Sequence, residues 1–170
     1  MDSAPERPPY EAYAAIAGTF ASLLAAAGAV GKLLDRDPQC QTALDFAVLA
    51  AATFKAARTL TRDRVTAPLR APFVEGEADA VDEQPVREGG LQQAMGELVT
   101  CTRCTGTWAA AGLASTQILA PRFGRLLTWS LGAAAANDFL QAGFAALTGK
   151  ANEVEEREPA TRRGPAERAA

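Results

Sequence analysis

Ala12-Tyr-Ala-Ala-Ile-Ala-Gly-Thr-Phe-Ala-Ser-Leu-Leu-Ala-Ala-Ala-Gly-Ala-Val-Gly31 holds no charged residue and is bracketed by Glu11 and Lys32. A helix rising about 1.5 Å per residue covers roughly 30 Å over such a stretch, enough to cross a hydrocarbon core. Gly18, Gly28 and Gly31 among the alanines give a smooth surface suited to close helix packing. The alternative is an alanine-rich helix buried in a soluble four-helix bundle. The residues ahead of the run are acidic and proline-containing where a secretory leader carries basic residues, so it is read as a retained anchor.

Three further runs follow. Phe46 to Phe54 is uncharged between Asp45 and Lys55, and is too short to span alone. If Lys55 and Arg58 snorkel to one interface, a helix over 42–61 crosses, shielded by its neighbours. A third span is expected over 105–121, with Trp108 near its start at the headgroup level and Pro121-Arg122 closing it. The fourth, 126–149, carries Asn137-Asp138 near its middle. Asp138 is expected to face the bundle, near Asn137 or Ser130, rather than lipid. The fold class is therefore all-α: a small helical membrane protein of about four spans occupying 12–149. Segment 74–90, rich in Asp and Glu, reads as a flexible acidic cytoplasmic loop, and 1–11 and 150–170 as disordered ends.

Composition agrees with that class. The chain is 48% hydrophobic but only 6% aromatic, because alanine dominates, and alanine favours helix while burying little area. A net charge of −3 gives no reason to expect nucleic acid. The absence of histidine removes the commonest general base and the usual imidazole ligand, so no catalytic constellation is expected. Loop charge orients the spans. Of the 17 basic residues, thirteen fall on the side of the two termini and the 62–104 loop, and four (Lys32, Arg36, Arg122, Arg125) on the other. The positive-inside tendency places both termini in the cytoplasm of a multi-pass protein of the bacterial cytoplasmic membrane. Cys40 then lies near the opposite face from Cys101 and Cys104, and a disulfide between them is implausible.

Two polar signatures stand beside the apolar runs. In the first, Arg58 to Phe73, basic residues at helical spacing precede Asp63, Arg64 and Arg70, while Pro68 and Pro72 are expected to end the helix and hold an extended strap. The strap attracts anionic lipid headgroups. A docking role is the alternative, with Arg58 and Arg64 pairing with Asp63 or Glu97. In the second signature Cys101 and Cys104 sit three apart at a helix start, where the dipole favours thiolate, with Thr100 or Thr102 as the candidate cap. The pair is read three ways: as packing residues, as a redox pair, or as two ligands of a zinc site. Zinc needs four ligands, so the last requires Glu97 with water or the same pair from a second subunit.

The combination of Asp63-Arg-Val-Thr-Ala-Pro-Leu-Arg-Ala-Pro-Phe73 with Glu97-Leu-Val-Thr-Cys-x-x-Cys-x-Gly-x-Trp108 resembles the bacterial integral-membrane family known as domain of unknown function 1360, which includes a sporulation-associated protein. The resemblance runs from about Leu44 to Leu147 and implies a multi-span membrane protein without an attached activity. Where that family often has proline or tryptophan after the first cysteine, this chain has Thr102-Arg103. The expected function is non-enzymatic: binding a protein partner or a second copy through helix faces and the strap. A redox or metal-binding membrane protein centred on Cys101 and Cys104 is the alternative.

Overall fold

The computed structural model describes residues 8–36, 41–76, 83–87 and 90–162, with side chains as far as residue 153. Cys40 lies outside the described residues, as do 1–7, 77–82, 88–89 and 163–170. The chain divides into two compact units, Met1–Ala134 and Ala135–Ala170. Its helices are α1 (Tyr10–Leu33), α2 (Ala43–Arg62), the four-residue α3 (Ala67–Arg70), α4 (Gly90–Thr100), α5 (Thr102–Leu119) and α6 (Pro121–Arg162). Two short strands, β1 (Val74–Glu75) and β2 (Gln84–Pro85), pair antiparallel with Val74 opposite Pro85.

Local chemistry sets these boundaries. Leu34, Asp35 and Arg36 close α1 with a reversed turn: Asp35 takes φ 51°, its N–H reaches Lys32 O at 3.2 Å and the Arg36 N–H reaches Gly31 O at 2.9 Å. This is the Schellman pattern, with aspartate where glycine is usual. The Arg36 guanidinium also donates to Leu119 O, one of the carbonyls left open where α5 ends. Helix α2 opens on a capping box. The Thr42 hydroxyl accepts from Asp45 N at 3.2 Å, while the Asp45 carboxylate accepts from Thr42 N at 3.0 Å. Pro121 stands first in α6, where its missing N–H costs nothing.

Small residues build the first unit's helix interfaces. Thr61 and Thr102 exchange a hydroxyl hydrogen bond at 3.0 Å, and a Cβ on Gly106 would lie 3.8 Å from the Ala57 methyl, so α2 and α5 run antiparallel. Phe20 meets Trp108 edge-on at 5.1 Å, and Gly31 faces Ile118, so α1 and α5 run parallel. Gly132, in the early part of α6, faces Val48 of α2, whose Cγ1 lies 3.0 Å from where a Cβ would stand. The buried apolar residues of this unit are Ala12, Ala52, Ala57, Ala94, Val86 and Leu113, while Leu23, Phe46, Leu60, Phe123 and Leu126 are exposed.

Helices occupy all four stretches expected to span, yet among the described residues only α1 is long and apolar enough to cross a membrane by length and composition. Lys55, Arg58 and Arg62 dilute α2, and Arg103 with Thr105, Thr107 and Thr116 dilutes α5. Three other expectations change. The strap is not extended: after Asp63 it winds through successive short helical turns over 64–66, 67–70 and 71–73. Pro68 and Pro72 each sit in the first two positions of a turn, where proline opens a helix instead of breaking it. The described parts of the acidic loop are tied back by the β1–β2 pairing, while 77–82 and 88–89 lie outside the described residues. Finally, α6 continues through 150–162, a stretch expected to be disordered; its alanine, glutamate and arginine are strong helix formers.

Candidate functional site

The first cluster forms where α2 ends. A terminating helix leaves its last carbonyls without partners, and here a single arginine takes them up. Arg70 Nη1 donates to Leu60 O at 3.0 Å, Asp63 O at 3.1 Å and the Thr66 hydroxyl at 2.7 Å. On its other edge Nε and Nη2 grip the two carboxylate oxygens of Glu83 at 2.7 and 2.8 Å. That two-point fork fits a planar guanidinium and no other side chain. Arg70 is 2% exposed and the Glu83 side chain 4%, so the ion pair is held out of water. Phe73 completes the joint through its backbone: its carbonyl accepts from Val86 N at 3.2 Å and lies against Gly96 of α4, too close for any Cβ there. Gln92 Nε2 adds a bond to Pro72 O at 2.8 Å. The strap, hairpin and α4 are thereby locked to the end of α2.

The second cluster lies at the α4–α5 junction. Thr100 sends its hydroxyl back to Gly96 O at 2.9 Å, which takes it out of the capping role. Thr102 is already within α5 and meets Thr61. Cys101 is the N-cap instead, in extended conformation, its sulfur accepting the Cys104 N–H at 3.3 Å. One helical turn brings the Cys104 thiol to 2.6 Å from Cys101 Sγ. Cys104 is exposed and Cys101 half-buried. The Cys104 thiol hydrogen bond, backbone N–H groups and the Arg103 charge pull the Cys101 thiol below its ordinary value. Cys104, giving that hydrogen bond and partly desolvated beside its partner, is pushed up. The two thiols are thus unequal, Cys101 being shifted down and Cys104 up.

Other sequence-expected residues are dispersed. Glu97 turns to α1, accepting from the Tyr13 hydroxyl and from Gln93 Nε2, the latter at 3.0 Å. Among the described residues no third Cys, Asp or Glu groups with the cysteine pair to hold a metal. Arg58 and Arg64 are exposed and Asp63 is the C-cap of α2. Trp108 is half-buried against Phe20, and Asp138, in the second unit, is half-buried. Sequence reasoning missed Glu83, Thr66 and Tyr13. Glu83 was submerged in a run of carboxylates, and only the proline-spaced arginine opposite it offered a signal.

The description "Protein of unknown function (DUF1360)" matches residues 48–144. The chain is 38% identical over 85 residues to "Sporulation protein YjcA" of Bacillus subtilis (strain 168), an alignment covering 46% of this chain and 72% of that protein. No solved structure matches. The matched stretch contains both clusters and α2, α4 and α5 nearly whole.

Proposed function

The chain belongs to the DUF1360 family, and we propose that it is a non-enzymatic, multi-pass protein of the bacterial cytoplasmic membrane. It crosses near 12–31, 42–61, 105–121 and 126–149, and binds a protein partner or a second copy through its helix faces and basic strap. The observation that carries this reading is an inverted distribution of side chains. In the first unit Ala12, Ala52, Ala57 and Ala94 are four of the six buried apolar residues described, while Phe46 is 69% and Leu126 67% exposed. Water would drive large apolar groups inward, whereas lipid leaves small residues at the interfaces and large ones outside.

Two further features support it. Helix α1 is long and apolar enough to span. The antiparallel α2 and parallel α5 gather the start of α1, the end of α2 and the start of α5 at one end of the first unit, as alternate crossings require. Arg58 and Arg64 are exposed at the same end, placed for anionic headgroups.

Carbonate extraction of cell membranes tests embedding: the chain should stay in the pellet, and release to the supernatant would favour the soluble four-helix bundle. Reporter fusions test topology. A phosphatase fused after Ala170 should be inactive and a cytoplasmic reporter active at both ends; periplasmic phosphatase activity would overturn the orientation.

A further inference from the structure

We infer that, beyond the partner binding proposed above, Cys101 and Cys104 form a thiol–disulfide exchange pair that a low-molecular-weight disulfide oxidises stoichiometrically, without turnover, with Cys101 attacking and Cys104 resolving. The N-cap placement, not the Cys-x-x-Cys spacing alone, carries this. Cys101 Sγ stands at the positive end of an 18-residue helix and takes two donors, the Cys104 N–H and the Cys104 thiol. The Cys104 thiol reaches Cys101 Sγ across one helical turn, so the two sulfurs already face each other. The exposure of Cys104 opens the junction to a small oxidant. A metal site would need further ligands, and none of the described Cys, Asp or Glu groups with the pair.

In the first step the Cys101 thiolate attacks one sulfur of the disulfide R–S–S–R. The S–S bond breaks, and one R–S⁻ departs with the electron pair and takes a proton from water. Cys104 then passes its proton to water, and its thiolate attacks Cys101 Sγ in the mixed disulfide; the mixed S–S bond breaks and the second R–S⁻ leaves with the electron pair and takes a proton from water. Two cysteine thiols become one disulfide and the small disulfide becomes two thiols, so protons and electrons balance. The asymmetry of the site suits the order. Cys101, at the helix end and accepting from the Cys104 thiol, is the more readily ionised of the two, and Cys104 the less.

The experiment uses the full chain in detergent with Cys40→Ser, which leaves the pair as its only thiols. Glutathione disulfide is the probe, read by intact mass and thiol trapping. The chain with both cysteines should lose both trappable thiols and the mass of two hydrogens, reversibly, without accumulating an adduct. Cys104→Ser should trap one glutathione on Cys101. Cys101→Ser should react at Cys104 at least about tenfold more slowly, since the helix-end sulfur is gone. Serine preserves the cap, so Cys101→Ser remains folded and its slow reaction is informative. The pH profile gives a second readout: alkylation of Cys101 should reach half its maximal rate at lower pH than alkylation of Cys104. Equal rates in the two single variants, a persistent adduct on the dithiol chain, or zinc retained at one ion per two chains with no exchange would each overturn the assignment.

Discussion

Arg70→Ala is expected to destabilise the protein by about 3–5 kcal/mol, the cost of breaking a buried ion pair by removing one partner. The charge left behind is Glu83, whose side chain is only 4% exposed. Leu60 O, Asp63 O and the Thr66 hydroxyl lose the same donor at once. Arg70→Lys keeps the charge but cannot reproduce the fork, because an ammonium cannot lie flat against two carboxylate oxygens while also reaching α2. It should fall between wild type and alanine. The decisive comparison is Arg70→Ala with Glu83→Ala. If the pair acts as described, the double variant costs clearly less than the sum of the singles, with a coupling inside the range of about 0.5–3 kcal/mol seen for directly interacting residues. Denaturant melts of the four proteins in one detergent would measure it. Additive losses would mean that Arg70 matters only as a helix cap and that the hairpin is held by other contacts.

How much of this was legible in the sequence depends on the range of the interaction. Uncharged runs located α1 and the centres of α2, α5 and α6 because helix formation and apolar patterning are local. The prolines were misread because their effect depends on position within a turn. Pro68 and Pro72 look like stops after α2, yet each opens a new turn, and that choice is made by where Arg70 must stand to reach Leu60 O. Lys55, Arg58 and Arg62 stand out by helical spacing, whereas Arg70, which reaches back to Leu60 O, carries no such periodic signal. Glu83 could not be singled out from its acidic neighbours, since selection lies in a contact across 13 residues. In the cysteine motif the spacing announced a pair at a helix start. Which residue caps the helix turned on Thr100 bonding backwards into α4, a local competition that composition does not resolve. The membrane reading stood on apolar length in α1, and for α2 it rests on small residues inside and large ones outside, with Ala52 and Ala57 buried and Phe46 and Phe54 exposed; α5 buries Leu113 and does not share that pattern.

Gly124→Ala is the other substitution with a large expected effect, and the reason is backbone against backbone. Between α5 and α6 stands the single residue Ala120, so the first turn of α6 is pressed onto the last turn of α5. A Cβ on Gly124 would meet Gln117 N and Thr116 C at 2.5 Å and Thr116 O at 2.6 Å. No rotamer relieves such a contact, because none of the opposing atoms belongs to a side chain. The corner would have to open, straining the Gln117 Nε2 to Thr128 hydroxyl bond that spans it at 3.0 Å and exposing Thr128, now 2% accessible. Overpacking of this kind costs about 1–3 kcal/mol and sometimes more. Gly112, in α5 only twelve residues away, is the internal control: nothing lies within 4 Å of its Cβ position. There alanine should be neutral or stabilising by up to about 1 kcal/mol, because glycine is the poorer helix former. Melting the two variants side by side separates steric closure of the corner from the general preference for alanine in helices. Equal stability of Gly124→Ala and Gly112→Ala would show that α5 and α6 do not meet as closely as the corner geometry requires.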